Sequence, residues 1–188
     1  MSTYFKIGLF LKDKYGWYIY FGEKYFILTN FEKSIEYANK AIYLDEKRYE
    51  AHLLKGENYI KLGKYDLAEK EFEFLKHKRL DMYYWNMGKI NLEQGNLNKS
   101  MEYFRRGMGI GHFKQNPRIS HLYAGIGFIY SVSNKTEAAL DYYNKSALYF
   151  EQSPEKKFIA GFVHTGLGRI YERERLYLKI FRKALDED

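Results

Sequence analysis

The sequence contains no cysteine and only two prolines in 188 residues. The absence of cysteine excludes disulfide bonds and every metal site that needs a thiolate ligand. The shortage of proline favours uninterrupted helices, because proline removes a backbone donor and clashes with the preceding helical turn. We therefore expect a protein whose regular structure is mainly helical.

Long hydrophobic runs are missing as well. No segment approaches the roughly 20 consecutive apolar residues that a membrane-spanning helix requires. Charged residues at Lys6, Lys12, Asp13 and Lys14 interrupt the N-terminal segment before it could form the apolar core of a signal peptide. We therefore expect a cytoplasmic protein that does not associate with membranes.

Aromatic residues and positive charge are both in excess. Tyrosine, phenylalanine and tryptophan make up 19% of the chain, and the net charge is +7, with the basic excess larger in the second half. A basic surface of this kind can attract acidic proteins or nucleic acid, or it can simply be solvated. The hydrophobic content of 46% is ordinary for a globular protein.

An internal repeat is the most informative feature. A glycine followed three residues later by a tyrosine recurs at Gly22–Tyr25, Gly56–Tyr59, Gly127–Tyr130 and Gly168–Tyr171, and Gly88 stands at a fifth corresponding position with Asn91 in place of tyrosine. Small residues stand twelve positions after Gly22, Gly56, Gly88 and Gly127, at Ser34, Ala68, Ser100 and Ala139. A glycine that faces a small residue allows two helices to approach closely.

This pattern resembles the tetratricopeptide repeat family, whose unit is a helix–turn–helix of about 34 residues. The segment from Tyr49 to Leu75 carries the most matching positions. The resemblance implies an all-α, right-handed α–α superhelix, a solenoid of about five helical hairpins. The expected units are 15–48, 49–80, 81–119, 120–160 and 161–188, preceded by an N-terminal helix or cap at 1–14. The turns inside the first four hairpins are expected near Thr29, Gly63, Gly95 and Asn134.

No catalytic pattern emerges from the sequence. The five histidines form no metal-binding spacing, and His52 and His164 occupy an aromatic position of the repeat, where a packing role is expected. No positioned nucleophile or phosphate-binding loop is present. We therefore expect no enzyme activity, no cofactor and no metal.

The resemblance also implies a concave binding surface, lined by the first helix of each unit. The residues expected there are Ile19, Tyr20, Glu23, Phe26, Leu53, Leu54, Glu57, Ile60, Trp85, Asn86, Lys89, Phe128 and Arg169. Its N-terminal part is mainly apolar, and apolar surface on a soluble protein usually marks an interaction site. The charge changes from acidic at Glu23 and Glu57 to basic at Lys89 and Arg169, which would orient a bound peptide.

The leading functional hypothesis is a protein-interaction module that binds a peptide or protein segment, acting as a scaffold, an assembly chaperone or a peptide-responsive regulator. Alternatively, the N-terminal segment fills the groove, or the apolar residues only pack neighbouring helices. A homodimer through the C-terminal stripe is a further alternative, and its residues are Leu176, Tyr177, Ile180 and Phe181. Nucleic-acid binding through the basic second half is the less favoured class, because Glu172 and Glu174 alternate with the arginines there.

Overall fold

A computed structural model describes residues 13–110, 119–150 and 166–175 of the chain. The described residues form helices joined by short turns, and none of them lies in a strand, so the all-α prediction is confirmed. The helices are α1 (Lys14–Ile27), α2 (Phe31–Leu44), α3 (Tyr49–Lys61), α4 (Tyr65–Glu73), α5 (Leu75–Lys78), α6 (Leu80–Glu93), α7 (Leu97–Met108), α8 (Ile119–Val132), α9 (Thr136–Phe150) and α10 (166–175).

The chain divides into two compact units, Met1–Ile90 and Asn91–Asp188. In the first unit, α1 packs against α2, α2 against α3, and α3 against α4. In the second unit, α8 and α9 form an extensively packed hairpin, and α7 also contacts α8. Each unit therefore shows the succession of antiparallel helix pairs that a solenoid requires.

The turns inside the hairpins lie where the sequence spacing predicts them. Each contains one residue in the left-handed region, with φ values of 57° at Thr29, 69° at Gly63, 77° at Gly95 and 61° at Asn134. All four stand seven residues after a repeat glycine. Glycine adopts this conformation without a steric penalty, whereas the β-branched Thr29 does not. The turn geometry is therefore conserved between the hairpins even where glycine is not present.

The repeat glycines of the first unit make room for large side chains. A Cβ atom added to Gly56 would lie 2.3 Å from Cε1 of Phe72. A Cβ atom added to Gly22 would lie 2.5 Å from Cδ2 of Leu54. The sequence predicted small residues opposite these glycines, and Ser34 does lie against Gly22, but the closest contacts are with a ring and a leucine. The glycines therefore accommodate large buried side chains from neighbouring helices.

A chain of buried hydrogen bonds joins the first three helices. The Ser34 hydroxyl donates to the carbonyl oxygen of Gly22 at 2.8 Å. The Asn58 side-chain amide donates to the Ser34 hydroxyl at 2.8 Å and to the carbonyl oxygen of Leu54 at 2.7 Å. Because these groups are buried, their mutual hydrogen bonds replace the lost contacts with water. The network fixes α1, α2 and α3 against one another.

The second unit is held together by the same kinds of contact as the first. A Cβ atom added to Gly127 would lie 2.8 Å from the Tyr143 ring, and α10 brings Gly166 against the hydroxyl end of the same ring. The hydroxyls of Ser120 and Ser146 donate to each other's backbone carbonyl oxygens at 2.8 and 2.9 Å. Close glycine–aromatic contacts and buried serine hydrogen bonds thus recur in both units.

Several predicted features lie outside the described residues. These are residues 1–12 of the N-terminal helix or cap expected at 1–14, most of the fifth unit, and the predicted dimer stripe formed by Leu176, Tyr177, Ile180 and Phe181. Among the helices that are described, none is both long enough and apolar enough to cross a bilayer.

Candidate binding surface

The thirteen predicted groove residues divide between the two units. Eleven of them lie on α1, α3 and α6 in the first unit, whereas Phe128 and Arg169 lie on α8 and α10 in the second.

An exposed stripe runs along α1. Tyr20 is 55% exposed, Ile27 is 78% exposed, and Glu23 between them is exposed as well. The three residues are separated by three and four positions, so their side chains project from the same face of the helix. Ile27 was not among the predicted groove residues, although its i+4 spacing from Glu23 would have identified it. We call Tyr20, Glu23 and Ile27 the α1 stripe.

Other predicted residues of the first unit are half-buried. These are Ile19 and Phe26 on α1, Leu53 and Glu57 on α3, and Trp85 on α6. Ile19 also packs on the core cluster of Tyr15, Ala41 and Ala51. The helix α3 lies beside α1, because Leu54 packs into the space left by Gly22. The half-buried Leu53 and Glu57 thus lie on a helix that packs directly against α1.

Four predicted residues lie in the interior. Leu54, Ile60, Asn86 and Lys89 are each 5% exposed or less. Leu54 is buried because it fills the space above Gly22, and Asn86 donates its side-chain amide to the carbonyl oxygen of Met82 at 2.9 Å. Side chains buried to this extent offer little surface to a partner. Contacts with a partner would be made by their exposed and half-buried neighbours.

Aromatic rings surround the beginning of the α1 stripe. The Tyr20 ring lies 6.1 Å from that of Trp17 and 5.5 Å from that of Phe21. Phe21 and Tyr25 in turn stack on Tyr37 of α2, with ring centroids 5.5 Å apart in both pairs. These contacts restrict the ring of Phe21 and thereby support the exposed Tyr20. The stripe is therefore presented on a rigid aromatic base.

The electrostatic environment of Glu23 is unusual within the first unit. Partial burial of its carboxylate raises the pKa of Glu23 above the ordinary value for glutamate. Among the described residues no cationic side chain forms an ion pair with it. The Glu23 carboxylate thus loses part of its hydration, and no cation in this part of the chain neutralises its charge.

His52 links α3 to the α4–α5 segment through its ring and its Nδ1 atom. Its ring stacks on Phe74 with centroids 4.1 Å apart, and its Nδ1 lies 2.8 Å from Oε2 of Glu71. Lys55 Nζ lies 2.7 Å from the other carboxylate oxygen of Glu71. The expected packing role of His52 is thus combined with an ionic link between α3 and α4. In the described segments no group of three histidine and acidic side chains is arranged to hold a metal ion.

The arginines on α10 make contacts within the second unit. Arg169 lies over the Phe128 ring, 5.8 Å from its centroid. Arg173 donates hydrogen bonds to the side-chain oxygens of Asn134 and Thr136 at the α8–α9 turn. Their guanidinium groups therefore help to fix α10 on the preceding hairpin.

Comparison with known families identifies the repeat. The family profile described as tetratricopeptide repeat matches residues 22–48, 49–73 and 83–110. These three matches contain the hairpin turns at Thr29, Gly63 and Gly95 and the glycine–aromatic contact of Gly56 with Phe72. The chain contains tetratricopeptide repeats. The resemblance noted in the sequence is thereby confirmed, and tetratricopeptide repeats are in general non-catalytic modules of protein interaction.

Solved structures of other tetratricopeptide repeat proteins share the fold. The structure of pilF from Pseudomonas aeruginosa has a TM-score of 0.63 and 20% identity, and the alignment covers 92% of this chain and 77% of that one. The structure of a tetratricopeptide repeat protein from Parabacteroides merdae has a TM-score of 0.58 and 18% identity, and the alignment covers 80% of this chain and 70% of that one. A MamA structure has a TM-score of 0.52 and 19% identity, and the alignment covers 93% of this chain and 92% of that one. A comparison with curated proteins finds no significant match.

Proposed function

We propose that the tetratricopeptide repeats of the first unit bind a peptide or protein segment through the α1 stripe and the adjacent surface of α3. The observation that carries this proposal is the exposure of Tyr20 and Ile27 on one face of α1, while Leu53 is half-buried on the helix that packs against α1. Large apolar side chains on a soluble protein are usually exposed together where a partner covers them.

The rigidity of this surface favours tight binding of a partner segment. Tyr20 is held by its ring contacts with Trp17 and Phe21, and α1 is fixed to α2 and α3 by buried hydrogen bonds. A rigid surface loses little conformational entropy when it binds, which favours affinity. An aromatic side chain with only two rotatable bonds is an efficient contact residue for the same reason. The role would be that of a scaffold, an assembly chaperone or a peptide-responsive regulator.

Nucleic-acid binding has less support. Arg169 and Arg173 contact Phe128, Asn134 and Thr136 of their own unit, and Arg106 lies 2.6 Å from Glu102. Arginines that already have intramolecular partners must give up those contacts to bind phosphate groups. A weak dependence of partner binding on salt would separate the two functions, because phosphate contacts make binding fall steeply with salt.

The proposal is tested by placing a photo-crosslinking phenylalanine analogue at Tyr20 in the full-length protein, within cells that express it. The matched control carries the same analogue at Tyr43, which is 91% exposed on α2. We expect Tyr20 to give discrete crosslinked partners that are absent at Tyr43. The double variant Tyr20→Ser/Leu53→Ser should lose the purified partner in a titration, whereas Tyr43→Ser should retain it. Equal crosslinking at both positions, or full binding by the double variant, would contradict the proposal.

A further inference from the structure

The other carboxylates and tyrosines of the first unit provide a comparison for the α1 stripe. Glu36 pairs with Lys40 at 2.5 Å, and Glu71 pairs with Lys55 at 2.7 Å. Two lysines lie over tyrosine rings. Lys33 Nζ is 4.7 Å from the ring centroid of Tyr25, and Lys40 Nζ is 4.9 Å from that of Tyr37. In each of these pairs a cation from the same chain neutralises the carboxylate or lies over the ring.

Tyr20 and Glu23 differ from these groups. They stand on one helix face about 4.5 Å apart along the axis, given a rise of about 1.5 Å per residue. Within the described part of the chain no lysine or arginine lies over the Tyr20 ring or pairs with the Glu23 carboxylate. A carboxylate beside an exposed aromatic face is an arrangement that attracts a cation by both Coulombic and cation–π interactions.

Ile27 adds an apolar contact to this arrangement. It lies one turn beyond Glu23, about 6 Å along the helix axis, and is 78% exposed. The next residue, Leu28, is 60% exposed and extends the apolar surface to the end of the helix. A ligand that reaches Glu23 with a basic side chain would therefore cover Ile27 and Leu28 with whatever stands next to that side chain.

We propose that the α1 stripe recognises a partner segment in which a lysine or arginine stands beside an aliphatic or aromatic residue. This inference rests on the binding function proposed above and specifies the chemistry of the partner. The basic side chain lies between the Tyr20 ring and the Glu23 carboxylate, and its apolar neighbour covers Ile27.

The test uses a phage-displayed library of random dodecapeptides selected on the immobilised full-length protein. Parallel selections use Glu23→Gln and the matched control Glu32→Gln, which removes the same charge from an exposed position on α2. Circular dichroism and thermal unfolding verify that each variant folds. We expect peptides selected on the wild type and on Glu32→Gln to be enriched in lysine or arginine next to an apolar residue, and this enrichment to be lost on Glu23→Gln.

Titration of the selected peptides provides the quantitative result. Glu23→Gln should weaken their binding by about two- to fivefold, the range expected of a partly exposed ion pair. Glu32→Gln should leave it unchanged. Binding of a peptide whose basic residue is replaced by glutamate should be restored by Glu23→Lys.

The outcomes separate this inference from the proposed function. Selected peptides that lack basic residues, bind Glu23→Gln as tightly as the wild type, and lose affinity on Tyr20→Ser would overturn the inference and leave the binding function intact. A wild-type protein that selects no peptide would count against both. Basic peptides that bind equally to all variants would place the site elsewhere on the molecule and so refute the inference.

Discussion

At the residue scale, the recurring glycines are explained by the side chains that pack against them. Phe72 and Tyr143 each stand sixteen residues after a repeat glycine, and their rings contact that glycine in both cases. In the first hairpin the corresponding residue is Ala38, and Leu54 from the next hairpin occupies the space at Gly22 instead. A small residue in one position is thus compensated by a large one in another, which keeps the interior densely packed.

This packing predicts opposite effects of alanine at two repeat glycines. Gly56→Ala should destabilise the protein by about 1–3 kcal/mol, because the new methyl group would overlap the fully buried Phe72 ring. Gly168→Ala should be neutral or stabilising by up to about 1 kcal/mol, because alanine favours the helix and no atom lies within 4 Å of the added Cβ in the structure described. Urea denaturation measures both changes. A loss at Gly168 as large as that at Gly56 would contradict this explanation.

At the element scale, the link between α3 and α4 is ionic as well as apolar. Burial raises the pKa of Glu71, but hydrogen bonds from His52 and Lys55 lower it more, so the pKa lies below the ordinary value of 4.5. Phe74 covers the His52 ring, and His52 Nε2 lies 3.2 Å from the backbone oxygen of Glu46. The carboxylate is therefore held in its charged form between two basic groups.

The direction of the Glu71 shift predicts how stability depends on pH. A carboxylate with a lowered folded-state pKa stabilises the protein above the unfolded-state pKa, and this contribution is lost as the pH falls through the folded-state value. At neutral pH, Glu71→Gln should lower the free energy of unfolding by about 1–2 kcal/mol. Below about pH 4 the wild type should lose this advantage. Urea denaturation across this range measures the difference.

The control for this prediction is Glu36→Gln. Glu36 pairs with Lys40 on the surface of α2, where the Glu36 side chain is 57% exposed. Water and salt screen such a pair, so its removal should change stability much less than the removal of Glu71. If Glu36→Gln and Glu71→Gln lowered the free energy of unfolding equally at every pH, the half-buried position of Glu71 would not explain its contribution to stability.

At the scale of the whole molecule, the repeat architecture bears on how the protein unfolds. The stability of a repeat protein is approximately a sum over repeats and the interfaces between neighbours, so its parts can unfold separately. Both tryptophans of the chain, Trp17 and Trp85, lie in the first compact unit. Their fluorescence therefore reports on that unit, whereas far-ultraviolet circular dichroism reports on every helix.

We accordingly expect the two signals to give different midpoints in urea. Gly127→Ala, which would place a methyl group 2.8 Å from the Tyr143 ring in the second unit, should shift the dichroism midpoint and leave the fluorescence midpoint nearly unchanged. Gly56→Ala in the first unit is the matched counterpart and should shift the fluorescence midpoint. Coincident transitions in the wild type and in both variants would show instead that the chain unfolds as one cooperative unit.

The sequence by itself determined the helical hairpins, their turns and the family. This was possible because glycine at a tight contact, an aromatic residue at a fixed distance and a left-handed turn residue are local requirements that repeat along the chain. The contact of Leu54 with Gly22 of the preceding hairpin shows the limit of such reasoning: the spacing placed Leu54 on the groove, and the structure buries it against Gly22.

Only the tertiary structure decided which side chains of the predicted groove are exposed. Helical spacing gives the direction of a side chain around its own helix. Its exposure also depends on the distance to the neighbouring helices, and glycines at the contacts shorten that distance. Leu54 is buried against Gly22, and Asn86 and Lys89 are buried as well, while Ile27, which the spacing rule omitted, is exposed on the same helix face as Tyr20 and Glu23. The absence of a cation around Glu23 in the described chain also depends on three-dimensional proximity, which a linear sequence cannot reveal.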